Sequence, residues 1–450
     1  MVNLITQLSK YLIIFLLALY TYGNFRYLSV PDQERKRKIC ARQNREMFGI
    51  HFLAYLTLYL RTENREMQMI LLAFYGIQAV FFLLYIYLYR LLYKNSSRLL
   101  VNNACMLLCT GLIMLTRLSL SRGLDRALRQ FIIIAAAGLV CWLIPWIMER
   151  VWQLYQWPWL YGILGLAVLL LVWAAGNESF GAQLSLTVGG VSIQPSEFVK
   201  ITFVFFTAAM FYRSVSFKNI CVTTAVAAAH VLVLVLSKDL GSGLIFFISY
   251  LIMLFTATGG WLYLGGGLLL GSGASWGAYQ VFDHVKRRVS AWQNPWADID
   301  NTGYQITQSL FAIGTGGWFG MGLCQGMPGR IPVVEKDFIF AAISEEMGAI
   351  FAICLLLICL GCFLQFMMIA AELEAVFYKV IAVGLAMEYI TQVFLTVGGV
   401  TKFIPSTGVT LPFVSYGGSS IVSTFLVFGI IQGLYIVKRN DEEAEWEEEG

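Results

Sequence analysis

The residues able to do chemistry fall in short clusters between long apolar stretches. Glu197 and Lys200, in Gln194-Pro195-Ser196-Glu197-Phe198-Val199-Lys200, are three apart. On a helix they share a face, where they either neutralise each other or line a polar cavity. Lys238 and Asp239, in Ser237-Lys238-Asp239-Leu240-Gly241, stand where two apolar runs meet, and Asp239 reads equally as a helix cap. Asp337 opens another run, placed to cap it beside the helix dipole. Glu345 and Glu346 follow; neighbours on a helix point about 100° apart and cannot both face one partner. Asp298 and Asp300 lie in a long polar segment. From Pro405 to Ser420 the chain carries two prolines, three glycines and many hydroxyls, including Ser415 and Ser419. Its N–H and hydroxyl groups could hold a phosphate or a sugar, although a plain loop has the same composition. The chemistry within reach is proton abstraction by a carboxylate, with cations steadying an anionic leaving group.

The elements positioning these groups are membrane helices. Of 450 residues, 58% are hydrophobic and 13% charged, against about 25% charged in soluble domains. With a mean hydropathy of +0.70 this excludes a secreted enzyme, a disordered chain and a nucleic-acid binder. An ionisable group inside a bilayer costs about 2.5–3.5 kcal/mol, so each one near a span needs a reason. The nine cysteines lie mostly in apolar runs, and the three histidines are far apart, so free thiols and no metal held by Cys or His are expected.

Spanning runs read at about 4–25, 47–60, 68–89, 99–116, 131–148, 158–175, 198–212, 220–236, 240–258, 261–282, 337–366, 379–398 and 420–437, roughly thirteen in all. The first lacks a basic leader and a small-residue cleavage site, so it reads as a retained span rather than a signal peptide. The loop after it, from Arg26 to Arg45, is densely basic and therefore cytoplasmic. Counting from there, the loop around Arg90 to Arg98, the stretch Arg213 to Lys218 and the acidic tail 439–450 are cytoplasmic, and the N-terminus is outside. Segments 176–197, 283–336 and 399–419 then face outward. The 283–336 segment is long for a loop, and Ile306 to Gly322 within it is apolar and Gly-rich, so it reads as a structured cap with a re-entrant or interfacial helix.

Together these segments resemble the SEDS family (shape, elongation, division and sporulation) of RodA-, FtsW- and SpoVE-like proteins. The matching stretches are Gln194 to Phe198, Asp239-Leu240-Gly241-Ser242, Asn294-Pro295-Trp296-Ala297-Asp298, Gly303-Tyr304-Gln305, Asp337 to Ala341, Glu345 to Gly348 and the 405–420 run. They come in family order over about 99–438, with 1–98 a membrane extension outside the resemblance. The resemblance implies an all-α polytopic membrane protein: a ten-helix core plus about three extra N-terminal spans, with a large outer-face loop. It implies peptidoglycan glycosyltransferase activity in the bacterial cytoplasmic membrane, joining lipid II units into glycan strands with release of undecaprenyl diphosphate. The family's key carboxylate falls on Asp298, as base for the acceptor 4-hydroxyl in an inverting displacement. Candidate substrate contacts are Glu197, Lys200, Lys238, Asp239, Glu345, Ser415 and Ser419. The diphosphate needs positive charge from Lys200, Lys238 or Lys286-Arg287-Arg288, or a divalent cation, magnesium or manganese, the one cofactor considered. The partner implied is a class B penicillin-binding protein.

Two other readings fit a many-span protein with a polar cavity. A flippase for the lipid-linked precursor would need the cavity charges and not Asp298. A non-catalytic activator of a penicillin-binding protein would need neither.

Overall fold

A computed structural model describes residues 2–120, 123–150, 152–179, 182–188 and 191–449. The chain opens with α1 (Val2–Ser29), α2 (Gln33–Arg61) and α3 (Arg65–Leu92). There follow α4 (Arg98–Ser119), α5 (Asp125–Arg150), α6 (Pro158–Ala175), α7 (Ser196–Arg213), α8 (Phe217–Leu236), α9 (Leu240–Thr258) and α10 (Trp261–Val281). Within the long polar segment lie α11 (Asp283–Gln293) and α12 (Tyr304–Gly316). The chain ends with α13 (Ile339–Met347), α14 (Ala349–Glu372), α15 (Val376–Val400) and α16 (Gly418–Glu449).

Among the described residues, ten helices are long and apolar enough to cross a membrane: α1, α3 to α6, α8, α9 and α14 to α16. The other three expected spans fall outside that set for visible reasons. α2 begins with the charged run Gln33 to Lys38, α7 carries Glu197, Lys200 and Arg213 in 18 residues, and glycines dilute the apolar character of α10.

Helix α4 is the axis of the bundle: its apolar window is wholly buried, and α2, α5 and α14 pack around it. A Cβ at Gly111 would lie 2.6 Å from the Val414 carbonyl, so α4 passes hard against the 405–420 stretch. α15 packs on α7, α9 and α14, and α16 packs along α5. The N-terminal helices join this core through buried polar pins. Tyr20 donates to Asn103 Oδ1 (3.0 Å), Asn103 donates to Asn24 Oδ1 (2.9 Å), and the Tyr55 and Thr116 hydroxyls meet at 2.8 Å. Between helices in lipid such bonds hold elements together where apolar burial gives little drive.

Three local features depart from the sequence reading. The basic loop after α1 is mostly helical: Asp32 caps α2 by accepting from Glu34 N at 3.0 Å, and Lys38 pairs with Glu34 one turn away. Segment 176–197 adds a three-stranded antiparallel sheet, β1 (Asn177–Ser179), β2 (Ala182–Val188) and β3 (Val191–Ile193), to an otherwise helical chain. There Leu184-Ser185-Leu186-Thr187 alternates with a period of two. The run 337–366 is two helices, broken at Gly348 (φ +90°). A Cβ there would sit 2.3 Å from Gly320 N, because residues 317–322 run against the break. They bond across it through Ala349 N to Gly317 O and Met321 N to Glu345 O. The helix expected within 306–322 is α12, ending at Gly316.

The two ends of the bundle are marked by contacts. At one end Lys10 donates to Gly320 O (3.1 Å), so the start of α1 lies beside the 283–336 segment. At the other, Lys438 pairs with Glu372 and Asn95 meets Asn440 (2.9 Å), which joins the C-terminal tail to the 90–98 loop. Tyr27, Cys40 and Leu99 pack together there, placing the basic turn after α1 at that same end.

Candidate functional site

The first turn of α7 sits between the 405–420 stretch and α15. Pro195 occupies the N-cap position of α7 and cannot donate, which costs nothing at a helix start. Gln194 N donates to Ser419 Oγ (2.9 Å), and Ser196 Oγ donates to Asp239 Oδ2 (3.4 Å). Asp239 is also the N-cap of α9, accepting from Ser242 N at 3.0 Å. Asp239 thus caps α9 and at the same time meets the first turn of α7. Gly241 is a glycine for space, since a Cβ there would lie 2.3 Å from Val409 Cγ2.

Lys200 is 5% exposed and satisfied twice: Nζ donates to Glu197 Oε2 (2.7 Å) and to Gln392 Oε1 of α15 (2.8 Å). Gln392 reaches on to Thr410 O (3.1 Å), and Thr396 donates to Val409 O (3.0 Å). The irregular 405–414 backbone is therefore held by side chains from a membrane helix, the arrangement that makes such backbone tolerable at that depth. Glu197, Lys200, Asp239 and Ser419 form one cluster.

The other site residues expected from sequence stand apart. Ser415 is 2% exposed and its hydroxyl is used within the protein, donating to Lys336 O (2.6 Å) and accepting from Leu411 N (2.9 Å). Lys238 is exposed in the left-handed region (φ +64°) at the α8–α9 turn. Glu345 accepts from Met327 N (2.8 Å), while Glu346 takes Arg117 (2.9 Å) and Cys324 N (3.2 Å). Adjacent carboxylates facing different partners is what helix geometry demands. Both fasten the 317–327 hairpin rather than joining the Lys200 cluster. Asp337 does not cap α13, whose N-cap is Phe338. It lies partly exposed beside Gly408 instead, within 3.6 Å of a Cβ built there. Burial pushes its carboxyl up to about 6, against the opposing pull of Lys336 and Arg288.

Asp298 ends a 3-10 turn, Pro295–Asp298, one step after α11. It is partly exposed, and its carboxylate accepts from Asn301 Nδ2 (2.9 Å), Thr302 N (3.1 Å) and Thr302 Oγ1 (2.9 Å). These bonds, the one from Asn301 first, hold it below the usual carboxylate range, so it is ionised and fixed in direction. Gly303 closes the turn, since any Cβ there would strike the Pro295 carbonyl. α11 ties this turn to the 402–406 backbone, which leads into the stretch held by α15: Arg288 donates to Ser406 O (3.1 Å) and Trp292 Nε1 to Lys402 O (3.1 Å). The charge of Arg288 acts on both Asp239 and Asp337.

Sequence reasoning overlooked Gln392 and Glu388 in α15. Glu388 interrupts the apolar run 379–398, and a lone carboxylate within a span was the available signal. Among the described residues, no group of three His, Cys, Asp or Glu side chains is arranged to hold a metal ion.

A polytopic helical bundle, with irregular polar backbone fastened over buried charges and a carboxylate on the adjoining loop, is a membrane protein with a polar centre joined to one end. The chain belongs to the FtsW/RodA/SpoVE family, whose model, described as cell cycle protein, matches residues 97–440. It is 37% identical over 288 residues to the peptidoglycan glycosyltransferase RodA of Mycobacterium tuberculosis, covering 60% of this chain and 61% of that protein. It is 33% identical over 310 residues to the peptidoglycan glycosyltransferase MrdB of Escherichia coli, covering 67% and 83%. The chain thus spans about three fifths of the length of its mycobacterial relative. In fold it is similar to a chain of a solved peptidoglycan synthase complex that coordinates polymerization and crosslinking. The TM-score is 0.64 at 22% identity, covering 76% of this chain and 98% of that one. Helices α1 to α3 precede the family match.

Proposed function

We propose that the protein polymerises lipid II into peptidoglycan strands at the outer face of the bacterial cytoplasmic membrane, releasing undecaprenyl diphosphate. The observation that carries this is Asp298, held ionised by three donors on a loop that α11 fastens to the backbone at Ser406. An ionised, oriented carboxylate can take the proton of the acceptor 4-hydroxyl as that oxygen attacks the anomeric carbon of the donor, a contribution of about 10²–10⁴-fold. One direct displacement inverts that centre. The leaving diphosphate needs no proton but does need positive charge; Arg288, bonded to Ser406 O, and Lys200, bonded to the Gln392 that holds Thr410, are the cations that could supply it. A divalent cation would draw most of its ligands from the diphosphate and water.

The N-terminus, lying at the end that carries 283–336, is then outside and the tail is cytoplasmic. A class B penicillin-binding protein is the partner that would cross-link the strand; support comes from the fold shared with a complex that joins the two steps. The test is polymerisation of lipid II by the purified protein, with and without that partner, and with magnesium, manganese or a chelator. Strands are expected, and fewer of them with the chelator. Movement of lipid II across vesicles without strands would favour a flippase. Stimulation of the partner alone would favour a non-catalytic activator.

A further inference from the structure

Gln130 is 1% exposed in α5, a span in which a polar side chain is costly unless it is used. Its amide is used twice, on the two sides of one residue. Nε2 donates to Ser415 O (3.2 Å) and Oε1 accepts from Gly417 N (3.3 Å), so the side chain stands in for a peptide group and brackets Tyr416. The same backbone is tied to 335–336: Tyr416 N donates to Glu335 O (2.7 Å) and Ser415 Oγ to Lys336 O (2.6 Å). Arg126, one turn before Gln130 and therefore on the same face of α5, pairs with the Glu335 carboxylate. Two residues of one helix thus grip 335–336 and 415–417 together. Gly417 O accepts from Ile421 N, so the bracketed backbone leads straight into α16. The first turn of α16 holds Ser419, whose Oγ accepts from Gln194 N, just ahead of Glu197 and Lys200 in the chain.

We propose that Gln130 is a positioning residue for the lipid II site: by fixing 415–417 from α5 it sets where Ser419 stands and, through the bond from Gln194, where α7 begins. Without the amide, Ser415 O and Gly417 N lose their partner beside the core, and the turn must rearrange to satisfy them, which carries Ser419 away from Gln194. The consequence for catalysis rests on reading Glu197, Lys200 and Ser419 as substrate contacts. Asp298 is held by its own donors on the α11 loop, so the defect is one of binding rather than of proton transfer.

Two readouts test this, lipid II polymerisation and backbone amide exchange in detergent, on native protein, Gln130→Met, Ser419→Ala and the double variant. Gln130→Met keeps the length of the side chain and loses both bonds. It is expected to raise KM for lipid II about 5-fold with kcat within about 2-fold of native, as for a change confined to binding. A role in folding alone would lower kcat at a native KM, and that result overturns the proposal. In the Ser419→Ala background the same change has little further effect on KM; an effect of equal size in both backgrounds also overturns it. Gln130→Met is expected to speed amide exchange in 415–421 and in 194–198, while 317–327 keeps its native rate. Unchanged exchange in 194–198 overturns the proposal even where no protein, native included, makes strands, the outcome that instead overturns the glycosyltransferase reading. Should Gln130→Met fail to fold, Gln130→Asn leaves the amide one methylene short of spanning both bonds. A raised KM and faster exchange in 194–198 are expected of it, and native values of both would contradict the idea.

Discussion

At Asp298 three hydrogen bonds from Asn301 and Thr302 decide how the carboxylate titrates. They hold it low, so a reaction that needs the ionised form persists as the pH falls through the ordinary carboxylate range. Removing two donors in Asn301→Ala with Thr302→Val is expected to move the acid limb of kcat/KM to higher pH; an unchanged limb would mean another group sets it. Asp337 behaves in the opposite sense. Its carboxyl is raised to about 6 in the folded protein, so the folded form binds a proton that the unfolded chain has already lost. Stability from this group is full at low pH and is lost as pH rises through about 6. Melting temperatures recorded from pH 4 to 7 are expected to fall less for Asp337→Asn than for the native protein. Part of this was legible in the residues: the pairing of Glu197 with Lys200 and the divergence of Glu345 and Glu346 follow from helical spacing, and Asp239 as a cap follows from its place between two runs, whereas its contact with Ser196, 43 residues away, does not. Glu388 was overlooked: a lone carboxylate in a long apolar run is a signal by itself, but nothing nearby in the chain shows what it faces. Nor was the structural use of Ser415 legible, since its acceptor, Lys336 O, lies 79 residues away in the chain.

Among elements, the hairpin 317–327 shows how charge fixes a cap. Glu346 is fully buried and takes Arg117 of α4 and Cys324 N of the hairpin, while Arg117 also reaches Gly326 O (3.3 Å). Cutting one side of such a pair strands a buried charge, so Arg117→Met is expected to destabilise by about 3–5 kcal/mol, with partial recovery in Arg117→Met plus Glu346→Gln. Equal losses in single and double variants, measured by denaturation, would show that the pair does not fasten the hairpin. The break at Gly348 was hidden in the sequence for a related reason. One glycine does not end an apolar helix; the close passage of Gly320 does, and that contact is made by residues distant in the chain. The start of α2 misled in the other direction, because a basic stretch reads as a loop until its capping aspartate and its Lys38–Glu34 pair are seen to support a helix.

Across the whole molecule, composition was enough to establish a polytopic bundle, and the order of the motifs was enough for the family. What neither could give is the way α1 to α3 complete it. These helices are pinned to α4 by Tyr20, Asn24 and Tyr55, and Lys10 reaches the hairpin at Gly320. Tyr55→Phe leaves Thr116 and Gln78 short of a partner in a dry interface, an expected loss of about 1–3 kcal/mol seen as a lower melting temperature. In the proposed reaction the bundle holds the lipid diphosphate near buried cations, while the α11 loop carries the base over it. The measurement that bears most directly on this account is steady-state lipid II polymerisation by native protein and Asp298→Asn, each first matched for melting temperature. Unchanged melting and a kcat lower by about 10²–10⁴-fold are expected, as for loss of a general base. A well-folded Asp298→Asn protein that polymerises at the native rate would contradict it.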